Sequence, residues 1–426
     1  MKQTRRDAIK WMTAAAIGAL PALSRAAQPA CRNAPRVVIV GAGFGGATAA
    51  KYLRLWEPAI EVVLIERAEN FVSCPLSNLV VSGAATLDEI TLSYHTLASK
   101  YGIRLVRDEA VAIDPERQLV RLARGDPVPY DRLVLSPGID FNYGEIAGME
   151  SADAQARILH AWKAGPQTLA LRAQLEAMPD GGVFAISIPK APYRCPPGPY
   201  ERACLVADYF KQHKPKSKVL ILDANEEVVS KKALFGKAWD ELYAGTLEYR
   251  PNSQLVAVDA ATRTAKFEFD SVSADVLNVI PPQRAAAIAG NAGLITANKR
   301  WCEVEFLSFE SKVAPRVHLL GDAILAAPAM PKSAFMANNQ AKVAADAIGA
   351  LLTGREINPR PIIANTCYSF VSDRLTMHVA SVHRYDADKK TFLAVPGAGG
   401  VSAARNEAEA DYARAWGKNI WADTLQ

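Results

Sequence analysis

The sequence lacks the features that mark several protein classes. Six cysteines in 426 residues are too few to staple a disulfide-dense scaffold. No Cys-x-x-Cys-His occurs, so the chain attaches no c-type haem itself, and its six histidines are scattered without metal-ligand spacing. No segment reaches the ~18 uninterrupted apolar residues of a membrane span. The body holds no basic run, so nucleic acid is not an expected partner. Charged residues make up 22% and hydrophobic residues 50%, which excludes a disordered, collagen-like or polytopic membrane protein. At ~100–200 residues per domain, two or three domains are expected.

The formal charge of +5 is concentrated at the start. Lys2, Arg5, Arg6, Lys10 and Arg25 face only Asp7, so removal of residues 1–26 would leave the chain near +1. Arg5-Arg6 precede an apolar stretch from Trp11 to Leu23, and Ser24-Arg25-Ala26 forms a small-x-small cleavage site. This pattern reads as a twin-arginine export signal over 1–26. It implies a periplasmic address and a cofactor bound before export. Gln28-Pro29-Ala30-Cys31 is a poor lipobox, so no lipid anchor is expected. In an oxidising compartment, cysteine pairs can persist as disulfides.

Arg36 to Val40 is a short β-branched run, as in a buried parallel strand. Gly41-Ala42-Gly43-Phe44-Gly45-Gly46 follows, then a helical stretch from Ala47 to Leu55, then a second strand, Glu61 to Glu66. A Gly-x-Gly-x-x-Gly between strand and helix, with an acid 20 residues on, is a dinucleotide fingerprint. Gly41 permits the turn, Gly43 lets backbone approach a pyrophosphate, and Gly46 lets the helix pack on the strand. The helix start offers amides and a positive dipole end to phosphate, and Glu66 accepts from ribose hydroxyls. The motif alone does not separate FAD from NAD.

Two later segments do. Tyr130 to Gly138 is a strand ending in Ser136-Pro137-Gly138, and Arg316 to Ala323 is a strand ending in Gly321-Asp322, before a long Ala-rich helix from about Ser333 to Leu352. The trio resembles the two-dinucleotide-domain flavoproteins. That resemblance implies an α/β fold of two Rossmann-like domains, the second inserted in the first, with Asp322 on the flavin ribityl chain and Gly138 and Lys332 near the cofactor. In the second domain the strand Gly182 to Ile188 is followed by a loop holding Pro189, Pro192, Pro196, Pro197 and Pro199 instead of a glycine turn. Proline removes backbone donors, so this loop cannot cradle a pyrophosphate in the same way. Electrons must then come from something other than NAD(P)H.

Cys195 lies just ahead of a helix beginning near Pro199, where a lowered thiol pKa is expected. Cys367 lies 172 residues later in a β-type run. Sequence alone does not pair them. Arg194-Cys195-Pro196-Pro197-Gly198-Pro199-Tyr200-Glu201-Arg202 and Asn365-Thr366-Cys367-Tyr368 are similar to segments of the flavoprotein subunit of flavocytochrome c sulfide dehydrogenase, as are Ile280 to Ala285 and Met330 to Ser333. The resemblance runs from about Val37 to Thr424. It implies a redox-active Cys195–Cys367 disulfide over the flavin, Glu201 as a proton-handling group, and a thioether from Cys74 to FAD. Pro75, after Cys74, departs from the bulkier residue of that family. Cys204 reads as core and Cys302 has no assigned role.

The expected organisation is an FAD domain over 35–145 and 283–356, an altered NAD-binding-like domain over 146–282, and a smaller α+β C-terminal domain over 357–426 presenting Trp416, Ile420 and Trp421 as an aromatic surface. The implied activity is oxidation of sulfide to sulfur or polysulfide, with single electrons passed to a c-type cytochrome subunit that holds the haem. The alternatives are a sulfide:quinone oxidoreductase-like enzyme and a non-catalytic sulfur-carrier scaffold.

Overall fold

A computed structural model describes residues 34–426. The twin-arginine segment and Cys31 lie outside the described residues. Pro35 to Gln426 form one compact unit.

The strand Arg36–Val40 is flanked by Glu61–Ile65 and Arg132–Leu135, all parallel, in a seven-stranded sheet. Val37, Val38 and Ile39 are fully buried, which explains a continuous apolar run where an exposed sheet face would show alternation. Val317–Leu319 returns from far along the chain to pair in parallel with Arg132–Leu135. A second sheet of four parallel strands orders as Leu247–Arg250, Lys218–Asp223, Val183–Ile188 and Val276–Val279. The chain leaves and re-enters the first domain along an antiparallel pair, Ile139–Phe141 with Gln283–Ala285. The architecture is therefore α/β with two Rossmann-type sheets, the second inserted between strands of the first.

The helix Ala334–Thr353 packs on the helix Phe44–Trp56. Its alanines at 341, 344 and 345 are buried, and small side chains let the helices approach closely. Asn338 Nδ2 donates to Thr48 Oγ1 at 3.0 Å across this contact. The chain ends in three antiparallel strands, Ile362–Phe370, Thr376–Asp386 and Thr391–Val401, and the helix Glu407–Leu425.

That last helix corrects one expectation. Ile420 and Trp421 are buried against the first domain, and Trp421 Nε1 donates to Ser73 Oγ at 2.8 Å. Trp416 packs edge-on against Phe335 and tilted against Tyr368. Gly417, Ile420, Trp421 and Thr424 recur at helical spacing and form the inward face, so the aromatic residues seal the C-terminal helix instead of forming a surface.

Candidate active site

The first glycine turn is built for close approach. Gly41 has φ +89°, and a Cβ on Gly46 would stand 1.9 Å from the Gly41 carbonyl oxygen, so helix and turn can meet only over glycine. The helix begins at Phe44 with Gly43 as its N-cap and no side-chain cap. A Cβ on Gly43 would meet nothing within 4 Å. Glu66 follows the second strand; its Oε2 accepts from Ala42 N and its Oε1 from Ala68 N, both at 2.8 Å. The carboxylate is thereby fixed beside the turn. Gly138 adopts φ +68° and its carbonyl accepts from Ala286 N at 3.1 Å, close to where the chain re-enters the first domain.

Farther along, Asp322 sits in the short turn Gly321–Ala323 ahead of the long helix. Its Oδ1 is buried without a partner, and its Oδ2 lies 4.0 Å from Arg194 Nε. Arg194 in turn faces Cys74, Asp322 and Cys195; burial works against its charge, the acidic groups around it more than offset that, and its Nη2 is also buried and unpartnered. Cys74, Arg194, Asp322 and Cys195 thus share one space. Burial pushes the Asp322 carboxyl up, with Arg194 and Lys332 pulling it back. Lys332 Nζ donates to the carbonyls of Asp322, at 3.0 Å, and Ile324, and lies 3.7 Å over the Trp301 ring. Burial lowers Lys332 to about 8. Its own carbonyl accepts from Cys195 N at 2.8 Å, so Lys332 anchors the thiol's main chain.

These features fit FAD. The uncapped helix start and Gly43 suit a pyrophosphate, and Glu66 suits a ribose. The orphaned Asp322 Oδ1 and Arg194 Nη2 would each cost about 1–3 kcal/mol if left unpaired, and hydroxyls or ring heteroatoms of a flavin would supply partners. Cys74, partly buried in the loop before the helix Ser77–Ser82, opens on the same space.

Cys195 and Cys367 reach the site from different sheets and stand as free thiols. They lie close enough for charge on one to be felt by the other. Cys195 has φ +57°, the left-handed region that non-glycine residues rarely enter. Gly198, at the start of the helix Gly198–His213, makes room for it: a Cβ there would come within 2.9 Å of the Cys195 sulfur. The expected low thiol pKa is corrected. Burial first, then charge on Cys367 and Glu201, pushes Cys195 up, against smaller downward pulls from Arg194 and Lys231. A helix start offers only part of a charge, and desolvation outweighs it. Burial also raises Cys367, opposed by Lys231, Asn365 and Ser333.

Glu201 is enclosed with the thiols. Its Oε1 accepts from Phe370 N at 2.9 Å and its Oε2 from Asn78 Nδ2 at 2.8 Å. Burial raises its carboxyl above the usual range even so, which makes proton uptake there easier than at an exposed carboxylate. A polar chain links the thiol to the long helix: Ser333 Oγ accepts from Met336 N at 3.0 Å and donates to Asn365 Oδ1 at 2.6 Å, and Asn365 lies 3.4 Å from the Cys367 sulfur.

Sequence reasoning did not single out Arg194, Arg202, Asn78 or Lys231. Arg194 and Arg202 flank Cys195 and Glu201 in the motif itself, so position was the available signal. Arg202 is fully buried and donates to Asn78 Oδ1, Asn278 Oδ1 and the carbonyls of His160 and Ala161. Lys231 precedes Lys232 with nothing local to tell them apart.

In the second half, Asp223 ends the second strand, where Glu66 follows its counterpart. Its Oδ2 accepts from Tyr200 and Tyr249 hydroxyls at 2.6 and 3.1 Å, and its Oδ1 from Asn225 Nδ2 at 2.7 Å. Cys204 is buried, its sulfur accepting from Trp239 Nε1 at 3.3 Å, and Cys302 is buried in the first core. No group of His, Cys, Asp and Glu among the described residues could hold a metal ion.

Family models match along most of the described chain: pyridine nucleotide-disulphide oxidoreductase over residues 35–169, the central region of the sulfide dehydrogenase [flavocytochrome c] flavoprotein chain over 168–281, and the flavocytochrome c sulphide dehydrogenase flavin-binding region over 359–425. A flavoprotein chain of sulfide dehydrogenase [flavocytochrome c] from Chlorobaculum thiosulfatiphilum is 60% identical over 45 residues, 11% of this chain and 94% of that sequence. Mitochondrial sulfide:quinone oxidoreductase from Mus musculus is 22% identical over 308 residues, 68% of this chain; the chain spans 66% of that relative's length. The solved sulfide:quinone oxidoreductase from Aquifex aeolicus superposes with TM-score 0.74 at 17% identity, covering 92% of each chain, a likeness of fold. With both characteristic regions of that flavoprotein matched, and the cysteine-bearing segments of each brought close together, the chain belongs to the family of flavoprotein chains of flavocytochrome c sulfide dehydrogenase.

Proposed function

We propose that this flavoprotein oxidises hydrogen sulfide to sulfur or polysulfide through a Cys195–Cys367 disulfide and FAD, and passes electrons singly to a c-type cytochrome. The observation that carries the reading is the meeting of Cys195, Cys367 and Glu201 in the space shared by Arg194, Asp322 and Cys74. FAD supplies a two-electron acceptor that can release electrons one at a time. The protein's own groups do the rest. Hydrosulfide forms a bond to one sulfur of the pair, and the other leaves as thiolate with the electron pair of the broken bond. Glu201, raised by burial, takes up the proton released from sulfide. Arg194 and Lys332 hold Asp322 in place for the cofactor. The tied Asp223 and the proline loop in the second half support a donor other than NAD(P)H.

A cytochrome partner follows from the family's description as one chain of a flavocytochrome. A periplasmic address rests on Arg5-Arg6 and the apolar stretch after them. No helix among the described residues is long and apolar enough to cross a membrane. A thioether through Cys74 rests on its place opposite Arg194 and on the family resemblance; flavin should stay with the acid-precipitated protein, and its appearance in the supernatant would remove that link.

The test of the central reading is Cys367→Ser with flavin content and thermal midpoint unchanged. Sulfide-dependent cytochrome c reduction should fall by orders of magnitude while dithionite still bleaches the flavin. Near-normal turnover would refute the disulfide route.

A further inference from the structure

Lys231 is an unusual residue that the mechanism above does not use. It lies in the loop after the strand Lys218–Asp223, as the N-cap of the helix Lys232–Leu242, with φ +56°. The left-handed backbone separates two adjacent lysines. Lys232 extends to an exposed ion pair with Glu227, whereas Lys231 is only 8% exposed. Its Nζ donates to the Cys367 carbonyl at 3.0 Å. A buried ammonium is costly unless its charge is compensated, and the groups facing this one are Cys367, Glu201, Cys195 and Glu409, all able to carry negative charge. Burial lowers Lys231 to about 8 against the pull of those groups. The other nearby cations serve elsewhere. The Arg202 guanidinium donates to Asn78, Asn278 and two carbonyls, and Arg194 faces Cys74, Asp322 and Cys195. Lys231 is the foremost charge drawing Cys367 back down.

We propose that Lys231 is a positioning residue that holds negative charge on the Cys367 sulfur, making Cys367 the thiolate of the opened pair. The proposal rests on the sulfide-oxidising reading. In the corresponding step, hydrosulfide forms an S–S bond to the Cys195 sulfur and the Cys195–Cys367 bond breaks. Its electron pair goes to Cys367 as thiolate, and the proton remains with the Cys195 persulfide or passes to Glu201. No electron leaves the sulfur atoms in this exchange. The cation opposite the leaving sulfur lowers its basicity, and a less basic thiol leaves faster.

The test reads thiol chemistry in the absence of sulfide. Flavin-loaded protein, reduced anaerobically with a phosphine, is alkylated with iodoacetamide from pH 5.5 to 9.5, and peptide mass spectrometry follows Cys195 and Cys367 separately. In the native protein Cys367 should react faster than Cys195 at pH 7. In Lys231→Met the Cys367 rate at pH 7 should fall about tenfold, one pKa unit of lost thiolate, and its midpoint should move up. Lys231→Arg should restore most of the rate. Lys231→Gln keeps a donor for the Cys367 carbonyl without charge and should behave as Met does; it also serves if the Met variant folds poorly. An unchanged profile in Met and Gln, equal losses in Arg and Gln, or a native protein in which Cys195 is the faster thiol would overturn the proposal. Sulfide turnover of the native protein is measured separately, so its absence would strike the functional reading and leave the thiol assignment standing on its own result.

Discussion

The two Rossmann-type halves place a strand, a turn and a helix in the same relation but use them differently. In the first half the helix start at Phe44 carries no side-chain cap, Gly43 faces open space, and Glu66 is braced by two amides. In the second half the turn is rich in proline, Cys195 occupies it, and Arg202 and Tyr200 bind the helix into the interior. Asp223, the acid of the second half, is held by two tyrosines and Asn225. In the second half the turn carries a thiol, and the acid of its second strand is held by internal partners. The same supersecondary unit can thus present an uncapped glycine turn or a proline turn bearing a cysteine.

Substitutions can break this contrast from either side, and the largest effect is expected in the first half. Gly46→Ala forces a Cβ to 1.9 Å from the Gly41 carbonyl, and flavin content, read from visible absorbance, should drop to near zero. Pro197→Gly, in the second turn, should leave loading intact; equal losses in both would mean that both turns serve the flavin.

A second effect sharpens the structural role of the second helix. Arg202→Met removes a fully buried guanidinium and strands Asn78, Asn278 and two carbonyls. Stability in denaturant titration should fall by about 3 kcal/mol or more. A loss under about 1 kcal/mol would show that the helix is not held by this residue.

The smallest effect is a pH dependence from the same network. His160 Nδ1 accepts from Trp162 N at 2.8 Å, which requires that nitrogen unprotonated. Burial first, then the charges of Arg202, Lys163 and Arg194, lowers His160 from 6.5 to about 3. The folded chain stays neutral there while the unfolded chain takes up a proton below 6.5, so stability falls with acid through that window. The fall between pH 6.5 and 5.5 should be about 1 kcal/mol, and His160→Gln should flatten it. An unaltered acid limb in that variant would assign the dependence elsewhere.

The elements that fix the first half were legible because their causes are local. A β-branched run, a glycine turn and an acid at fixed spacing specify strand, turn and second strand within 31 residues, Arg36 to Glu66. The long helix was legible for the same reason and runs Ala334–Thr353 with Ser333 as its cap, whereas Asp322 was singled out only through the family resemblance. Composition does not say which helix face meets a neighbour, so it leaves open that Ile420 and Trp421 face inward. A helix start beside Cys195 is visible in sequence, but the desolvation that raises its thiol is not.

The residues carry the intact first fingerprint, the altered second turn and the two cysteine-bearing segments, and the resemblance they support implies two Rossmann-like domains with a smaller α+β C-terminal domain. Only the tertiary structure decided that Lys231 faces Cys367 across 136 positions of chain, that Arg202 reaches Asn78 across 124, and that burial raises both thiols and Glu201. Turn geometry and hydrophobic periodicity act between neighbours along the chain. Charge pairing and desolvation act through space, and so are set only when distant segments have packed.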